Sequence, residues 1–328
     1  MSSCRSSNPD PAIRIDQARW NSGTMTYLRR LPKFDFVSPS SVAELCSLTK
    51  DASNGDVMLF AGGTDAILQL RRREATPRCV VGLKGVPELD FIEERDDGSL
   101  VIGAMTTLRS LMLSPSVRRD HVVLAETAAQ IGGPELRNAA TVGGNIAGAL
   151  PCADLPPPLM TLGAKVKLAS SKSLREVALE DFFVSYAQTS ARKDEVLTEI
   201  VVPRPAPASA SIYLKYHDRQ SMDMTVVGVG AFVELDADRN AFRDLKLAFA
   251  NGAPTVFRAK RTETVLRGEA LTEEGLEAAA EEAVKEANPR TNSWRADPAF
   301  RLVLIKNLTK RAIRFAWEKA QVRGKAQS

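Results

Sequence analysis

Two glycine pairs lie about eighty residues apart in this chain, each beside a segment of regular structure. The first belongs to the segment Ala61-Gly62-Gly63-Thr64-Asp65, which follows an apolar run and precedes residues with helical spacing. Because glycine lacks a Cβ, the backbone here can approach a ligand closely, and the free amides at the start of a helix attract an anion. The pattern predicts a strand, a glycine turn and a helix, with a candidate phosphate site at the turn.

The second pair lies between Ala140 and Asn145, in the segment Ala-Thr-Val-Gly-Gly-Asn. An isolated Gly-Gly is also typical of a plain strand-to-helix turn. Two such turns could each donate amides and a hydroxyl, from Thr64 and Thr141, to one phosphate of a diphosphate. The first turn has no lysine after it and lacks the Gly-x-Gly-x-x-Gly spacing, which argues against nucleoside triphosphate hydrolysis. The pair of turns therefore favours a diphosphate-containing ligand.

The predicted elements divide the chain into two parts. Strands and helices alternate up to about residue 202, and Pro203, Pro205 and Pro207 then interrupt the pattern, which indicates a domain boundary. Beyond it come three β-rich runs with the spacing of an antiparallel meander, followed by three helices. The runs cover residues 211–216, 224–235 and 244–249, and the helices cover about 255–267, 273–287 and 298–320. We expect an α+β fold.

Composition and charge exclude several other classes of protein. Hydrophobic residues make up 44% of the 328 residues and charged residues 26%, which is typical of a globular chain. The net charge of +4 comes from interleaved charges, so no nucleic-acid surface is expected. No apolar run approaches the roughly 20 residues of a membrane span. The four cysteines are widely separated, so we expect no metal site, and they fit a reducing, cytoplasmic compartment.

Three stretches of sequence together carry a resemblance. They are Phe60-Ala-Gly-Gly-Thr-Asp65, Arg137-Asn-Ala-Ala-Thr-Val-Gly-Gly-Asn145 and Asp154-Leu-Pro-Pro157, and Lys215-x-x-x-Arg219-x-x-x-Asp223 extends the match. These stretches resemble the signatures of the FAD-binding medium subunit of molybdenum hydroxylases, the family of xanthine dehydrogenase, carbon monoxide dehydrogenase and 4-hydroxybenzoyl-CoA reductase. The likeness covers roughly residues 25–320, although the cysteine-rich insertion of some 4-hydroxybenzoyl-CoA reductase subunits has no counterpart here.

The resemblance implies a fold and its boundaries. It implies a FAD-binding domain of the p-cresol methylhydroxylase type over residues 25–205, in two subdomains of about 25–80 and 81–205. A C-terminal domain of the carbon monoxide dehydrogenase flavoprotein type, with a three-stranded antiparallel sheet and helices, would follow over 210–320. Residues 1–24 are expected to form a disordered extension, and residues 321–328 a tail.

The resemblance also implies roles for individual residues. Both glycine turns would bind the pyrophosphate of FAD, and Asp154 would approach the ribityl or ribose hydroxyls. Ile131 and Leu197 would pack near the flavin or adenine, and Lys215 would lie beside the isoalloxazine, where a cation stabilises the reduced ring. From the residues alone, we would expect Lys215 to be a solvated strand lysine. Asp65 could be a helix N-cap as well as part of the first pyrophosphate turn. The expected cofactor-binding residues are Leu59, Phe60, Ala61, Gly62, Gly63, Thr64, Asp65, Ile131, Ala140, Thr141, Gly144, Asn145, Asp154, Leu197 and Lys215.

The sequence offers no metal ligands and no nucleophile pair, so we expect no catalytic residue on this chain and predict one part of a larger enzyme. The resemblance implies an oxidoreductase subunit that passes electrons between [2Fe-2S] clusters of a small partner and an acceptor such as NAD. A large partner would carry the molybdopterin cofactor, in a dimer of heterotrimers. Two alternatives remain: a self-sufficient flavin oxidoreductase of the same superfold, and a non-catalytic nucleotide-binding assembly module.

Overall fold

The computed structural model describes residues 30–50, 56–219, 221–291, 293 and 295–326. The expected extension over residues 1–24 lies outside this range. Within the described residues, no helix is both long enough and apolar enough to cross a bilayer.

A small parallel sheet comes first in the chain and carries the first glycine turn. Its strands follow the order β1-β3-β2, with the turn at the carboxyl end of β2. Ser41 caps α1 by accepting a hydrogen bond from the amide of Glu44, while the Glu44 carboxylate accepts one from the amide of Ser40. The elements are β1 (Asp35–Val37), α1 (Val42–Thr49), β2 (Val57–Phe60), α2 (Ala66–Arg72) and β3 (Cys79–Gly82).

A second, five-stranded sheet follows, with the order β4-β5-β10-β6-β7 and antiparallel pairing throughout. Its strands are β4 (Ile92–Glu94), β5 (Leu100–Gly103), β6 (Lys165–Ala169), β7 (Leu174–Ala178) and β10 (Val196–Val202). A two-stranded hairpin lies beside it, formed by β8 (Phe183–Ser185) and β9 (Gln188–Thr189). The helices are α3 (Leu108–Leu113), α4 (Pro115–Asp120), α5 (Val122–Ala129), α6 (Pro134–Ala139), α7 (Val142–Ala147), α8 (Pro156–Thr161) and α9 (Leu179–Phe182).

The C-terminal sheet contains the three predicted antiparallel strands and one short addition. These strands are β11 (Ser209–Tyr216), β12 (Val227–Leu235) and β13 (Phe242–Ala250), and β14 (Phe257–Arg258) extends the sheet to four. Three helices complete the chain: α10 (Lys260–Val265), α11 (Glu273–Glu286) and α12 (Pro298–Ala326). Asp297 caps α12, accepting a hydrogen bond from the amide of Phe300 at 2.7 Å.

Two boundaries differ from the sequence prediction. The helix expected over residues 255–267 is only α10, because Phe257 stacks on Phe249 of β13, with ring centroids 5.5 Å apart, and draws its segment into the sheet. The last helix continues to Ala326, so most of the expected tail over 321–328 is helical. Gln321, Val322 and Arg323 are compatible with a helix, and no proline ends it near residue 320.

The two parts of the chain share a hydrophobic core. The cluster that contains the second sheet also includes Tyr213, Phe232 and Ala248 of the C-terminal sheet. Every residue of α8 is buried, and a Cβ on Gly230 would lie 2.9 Å from the backbone carbonyl carbon of Pro157. The C-terminal sheet therefore packs directly against the domain that carries both glycine turns.

Candidate functional site

The two glycine turns touch each other. A Cβ on Gly62 would overlap the carbonyl oxygen of Ala139, and a Cβ on Gly144 would lie 3.8 Å from that of Ala61. Gly63 has a φ of +74°, which favours glycine for a separate reason. The chain thus brings together two segments far apart in sequence, as the hypothesis of one shared diphosphate required.

The two turns differ in how many backbone amides are free to bind a ligand. Within the described part of the chain, the amides of residues 62–65 donate no hydrogen bond. In the second turn, by contrast, the amide of Gly143 donates to the Ala104 carbonyl at 2.8 Å. The amide of Gly144 donates at 3.0 Å to the hydroxyl of Thr141, which caps α7. The first turn therefore has amides available for an anion, and these two amides of the second turn are already in use.

Asp65 occupies the N-cap position of α2, but its side chain makes no capping hydrogen bond. The capping role considered for Asp65 is therefore not present in the structure. The carboxylate is free for other contacts at the edge of the first turn.

A cavity of about 690 Å³ opens on one side of the touching turns. Phe60, Val86 and Met105 form apolar walls, and Lys84 and Asp90 supply charged groups. Residues 60–62 and 84–87 come from the region of the first sheet, whereas residues 105–107 and 138–141 come from the second part. A cavity of this size, with apolar walls and a few polar groups, is typical of small-molecule sites.

A buried charged network is formed by residues that do not line this cavity. Lys215 donates to Asp154 Oδ2 at 3.2 Å, and the two side chains are only 3% and 9% exposed. Tyr213 donates to Asp154 Oδ1 at 2.7 Å, and Thr225 donates to the same oxygen. Burial, and then the negative charge of Asp154, raise the pKa of Tyr213. The alternative of a solvated Lys215 is therefore wrong.

The network is connected to the end of α5. Lys215 Nζ also donates to the carbonyl of Gln130 at 3.0 Å, and Gln130 directly precedes Ile131 in the chain. Burial raises the pKa of the Cys152 thiol to about 11, and the nearby carboxylates of Asp154 and Asp65 contribute.

Asn145, in the second turn, has a buried side-chain oxygen with no hydrogen-bond partner among the described atoms. A buried acceptor without a donor is costly, and a ligand hydroxyl would satisfy it. Thr141 is buried, and Ala140 accepts a hydrogen bond from the amide of Leu108 at 2.9 Å. Leu59 packs against a small core below the first turn.

Leu197 is a further residue that is expected to contact the cofactor. It lies on β10, opposite Leu168 of β6, and forms part of the main hydrophobic core.

Sequence reasoning missed several residues at this site. Tyr213 could have been found, because residues two apart on a strand share a face and Lys215 had been singled out. Thr225 and the carbonyl of Gln130 reach the network from distant segments, and Val86 and Met105 line the cavity as ordinary apolar residues. No local pattern marks these four.

Comparison with known proteins identifies the family. Residues 32–205 match the family described as the FAD binding domain in molybdopterin dehydrogenase, and residues 212–316 match the carbon monoxide dehydrogenase flavoprotein C-terminal domain. The xanthine dehydrogenase FAD-binding subunit of Escherichia coli O157:H7 is 35% identical over 85% of this chain and 96% of its own length. The carbon monoxide dehydrogenase medium chain of Hydrogenophaga pseudoflava is 32% identical over 87% of this chain and 98% of its own.

Solved structures agree with this result. Carbon monoxide dehydrogenase from Hydrogenophaga pseudoflava superposes with a TM-score of 0.84 at 31% identity, over 88% of this chain and 99% of the matched chain. Quinoline 2-oxidoreductase from Pseudomonas putida 86 superposes with a TM-score of 0.82 at 28% identity, over 89% of this chain and 99% of the matched chain. This chain belongs to the family of FAD-binding subunits of molybdopterin dehydrogenases and is a flavoprotein subunit of an oxidoreductase.

Proposed function

We propose that this chain is the electron-transfer subunit of a heteromeric molybdenum hydroxylase and that one continuous site holds its FAD. The observation that carries the proposal is the set of unpaired amides at the first glycine turn, which touches the second. A cavity borders these turns, and the buried Lys215 network is formed by residues that do not line the cavity. These three features suit the diphosphate, the nucleoside and the flavin of a dinucleotide.

The residues present fit FAD. The 690 Å³ cavity would take the adenosine half, and the amides of residues 62–65 with the hydroxyl of Thr64 would bind the diphosphate. The unpartnered oxygen of Asn145 would accept a hydrogen bond from a ribityl or ribose hydroxyl, with Asp154 nearby. Ile131 and Lys215 would lie beside the isoalloxazine.

The chain supplies position and charge at the flavin end. Bound FAD provides the capacity to accept electrons singly or in pairs. Lys215 holds a positive charge in a site from which water is largely excluded, where a charge acts more strongly than in solvent. An ammonium group has three protons, and Asp154 and Gln130 accept two of them. The third remains available to a ligand.

The proposed partners follow from the names of relatives. One relative is a medium chain of carbon monoxide dehydrogenase, and the matched solved structure of that enzyme is described as lacking the Mo-pyranopterin moiety of the molybdenum cofactor. We extend this to a large partner with molybdopterin, a small partner with [2Fe-2S] clusters, and a dimer of heterotrimers. Electrons pass between those clusters and NAD or another acceptor by way of this chain, in the cytoplasm.

Isolation of the native assembly tests this proposal. A tag on this chain, used in its source cells under mild conditions, should recover two further chains together with flavin and iron–sulfur absorbance. A yellow single chain that turns over a substrate by itself would contradict the proposal.

A further inference from the structure

The turn after α5 carries two groups that the proposed function uses at the flavin end. The carbonyl of Gln130 accepts a hydrogen bond from Lys215 at 3.0 Å, and Ile131 follows directly. The backbone then passes through Gly132, whose φ is +54°. The conformation of this turn therefore determines where the Gln130 carbonyl, the second hydrogen-bond acceptor of Lys215, and the Ile131 side chain lie.

The side chain of Arg137 contacts three backbone carbonyl groups in and beside this turn. Its Nη1 lies 3.1 Å from the carbonyl oxygen of Ala129, 3.0 Å from that of Ile131 and 3.0 Å from that of Gly132. No carboxylate lies within ion-pair distance of Arg137 among the described residues, so the carbonyl groups are its partners. All three contacts are made by one nitrogen at the end of the arginine side chain, and a lysine Nζ, which is one bond closer to the backbone, would not reach all three carbonyl oxygens.

Arg137 also belongs to α6, whose last residue is Ala139. The carbonyl of Ala139 packs against Gly62 in the first glycine turn. A single short helix thus connects the proposed diphosphate site with the turn that accepts a hydrogen bond from Lys215.

We propose that Arg137 is a positioning residue that fixes the turn of residues 129–132 and thereby holds Lys215 and Ile131 beside the flavin. This inference rests on the function proposed above. The competing explanation is that Arg137 only neutralises the free carbonyls at the end of α5, which would affect stability alone.

The test measures the midpoint potential of the flavin in the native assembly, together with its FAD content and melting temperature. The variants are Arg137→Lys, which keeps the charge but shortens the reach of the side chain, and Arg137→Met, which removes the charge and the hydrogen bonds. Lys215→Met and the double variant Arg137→Lys/Lys215→Met complete a double-mutant cycle, which measures the coupling between the two residues. Arg118→Met is the matched control, because Arg118 donates to the Met112 carbonyl near the end of another helix, at 2.8 Å.

We expect Arg137→Lys to lower the potential and to weaken FAD binding by about tenfold, the effect of losing one charge-assisted hydrogen bond. Lys215→Met should lower the potential further, and the double variant should match Lys215→Met, because Arg137 acts through Lys215. Arg118→Met should leave the potential unchanged. If Arg137→Met does not fold, Arg137→Lys decides the question.

Two results would overturn the inference. One is that Arg137→Lys has the same flavin potential and FAD affinity as the unmutated assembly. The other is that the shift in potential of the double variant equals the sum of the shifts of the two single variants. Loss of FAD from a folded Arg137→Lys, with FAD retained in Arg118→Met, would support it. Absence of FAD from the unmutated assembly would instead reject the proposed function.

Discussion

At the scale of single residues, the two glycines of the first turn meet different requirements. Gly62 is needed because a Cβ there would overlap the carbonyl of Ala139, whereas Gly63 is needed because its φ is +74°. The sequence predicted both positions from one argument, the close approach of a ligand. The structure shows that packing between the turns also explains Gly62.

Gly63→Ala should reduce FAD affinity, because a left-handed φ costs alanine about 1 kcal/mol and the new Cβ would displace the Phe60 ring at the cavity. We expect FAD binding to weaken by about tenfold. The measurement is the dissociation constant of FAD from fluorescence titration of the deflavinated assembly.

The matched control is Gly268→Ala, since Gly268 has a φ of +82° and a Cβ there would have no neighbour within 4 Å. This variant should lose similar stability and keep its FAD affinity. Equal FAD affinity in the two variants would show that the first turn does not bind the cofactor.

Asp154→Asn should destabilise the protein strongly, because it leaves the buried Lys215 without its negative partner. Removing one member of a buried pair typically costs about 3–5 kcal/mol. The double variant Asp154→Asn/Lys215→Met should recover part of the loss in melting temperature, measured by calorimetry. A double variant less stable than Asp154→Asn would contradict this account of the pair.

At the scale of elements, hydrophobic periodicity was enough to predict β2 and the three long strands of the C-terminal sheet. It was misleading for residues 255–267, because one stacking contact, Phe257 on Phe249, overrides local helical propensity. The charged network could be predicted only in part. Asp154 and Lys215 stood out by resemblance, but their contact joins residues 61 positions apart, which no local pattern reports.

The junction between α12 and the start of α5 should make stability sensitive to acid. His121 is 2% exposed, and burial lowers its pKa to about 4. The negative charges of Asp120 and Glu94 raise this pKa and the positive charge of Arg323 lowers it, but the effect of burial is larger. Because the unfolded chain, with a pKa near 6.5, binds the proton more readily, stability falls as the pH drops from about 6.5 to 4.

The expected loss across this interval is up to about 3 kcal/mol. His121→Asn, which cannot titrate in this range, should show a smaller drop in melting temperature between pH 7 and pH 5 than the unmutated protein. An equal drop in melting temperature in the variant and in the unmutated protein would show that His121 does not control acid stability.

At the scale of the whole molecule, the site is built from three parts of the chain. The first sheet carries the turn with free amides, the second part carries Asn145 and Asp154, and β11 of the C-terminal sheet carries Lys215. The shared core, which includes Tyr213, fixes these parts relative to one another. The C-terminal domain therefore supplies a charged residue to the site, a role that the order of elements alone did not indicate.

The most direct test of the central claim is reoxidation of the iron–sulfur clusters in the native assembly with and without FAD. The assembly is reduced with dithionite, freed of excess reductant and mixed with NAD⁺ or a quinone, while cluster absorbance is followed by stopped flow. We predict that removal of FAD slows cluster reoxidation by orders of magnitude and that added FAD restores it. Equal rates with and without FAD would show that electrons do not pass through this chain.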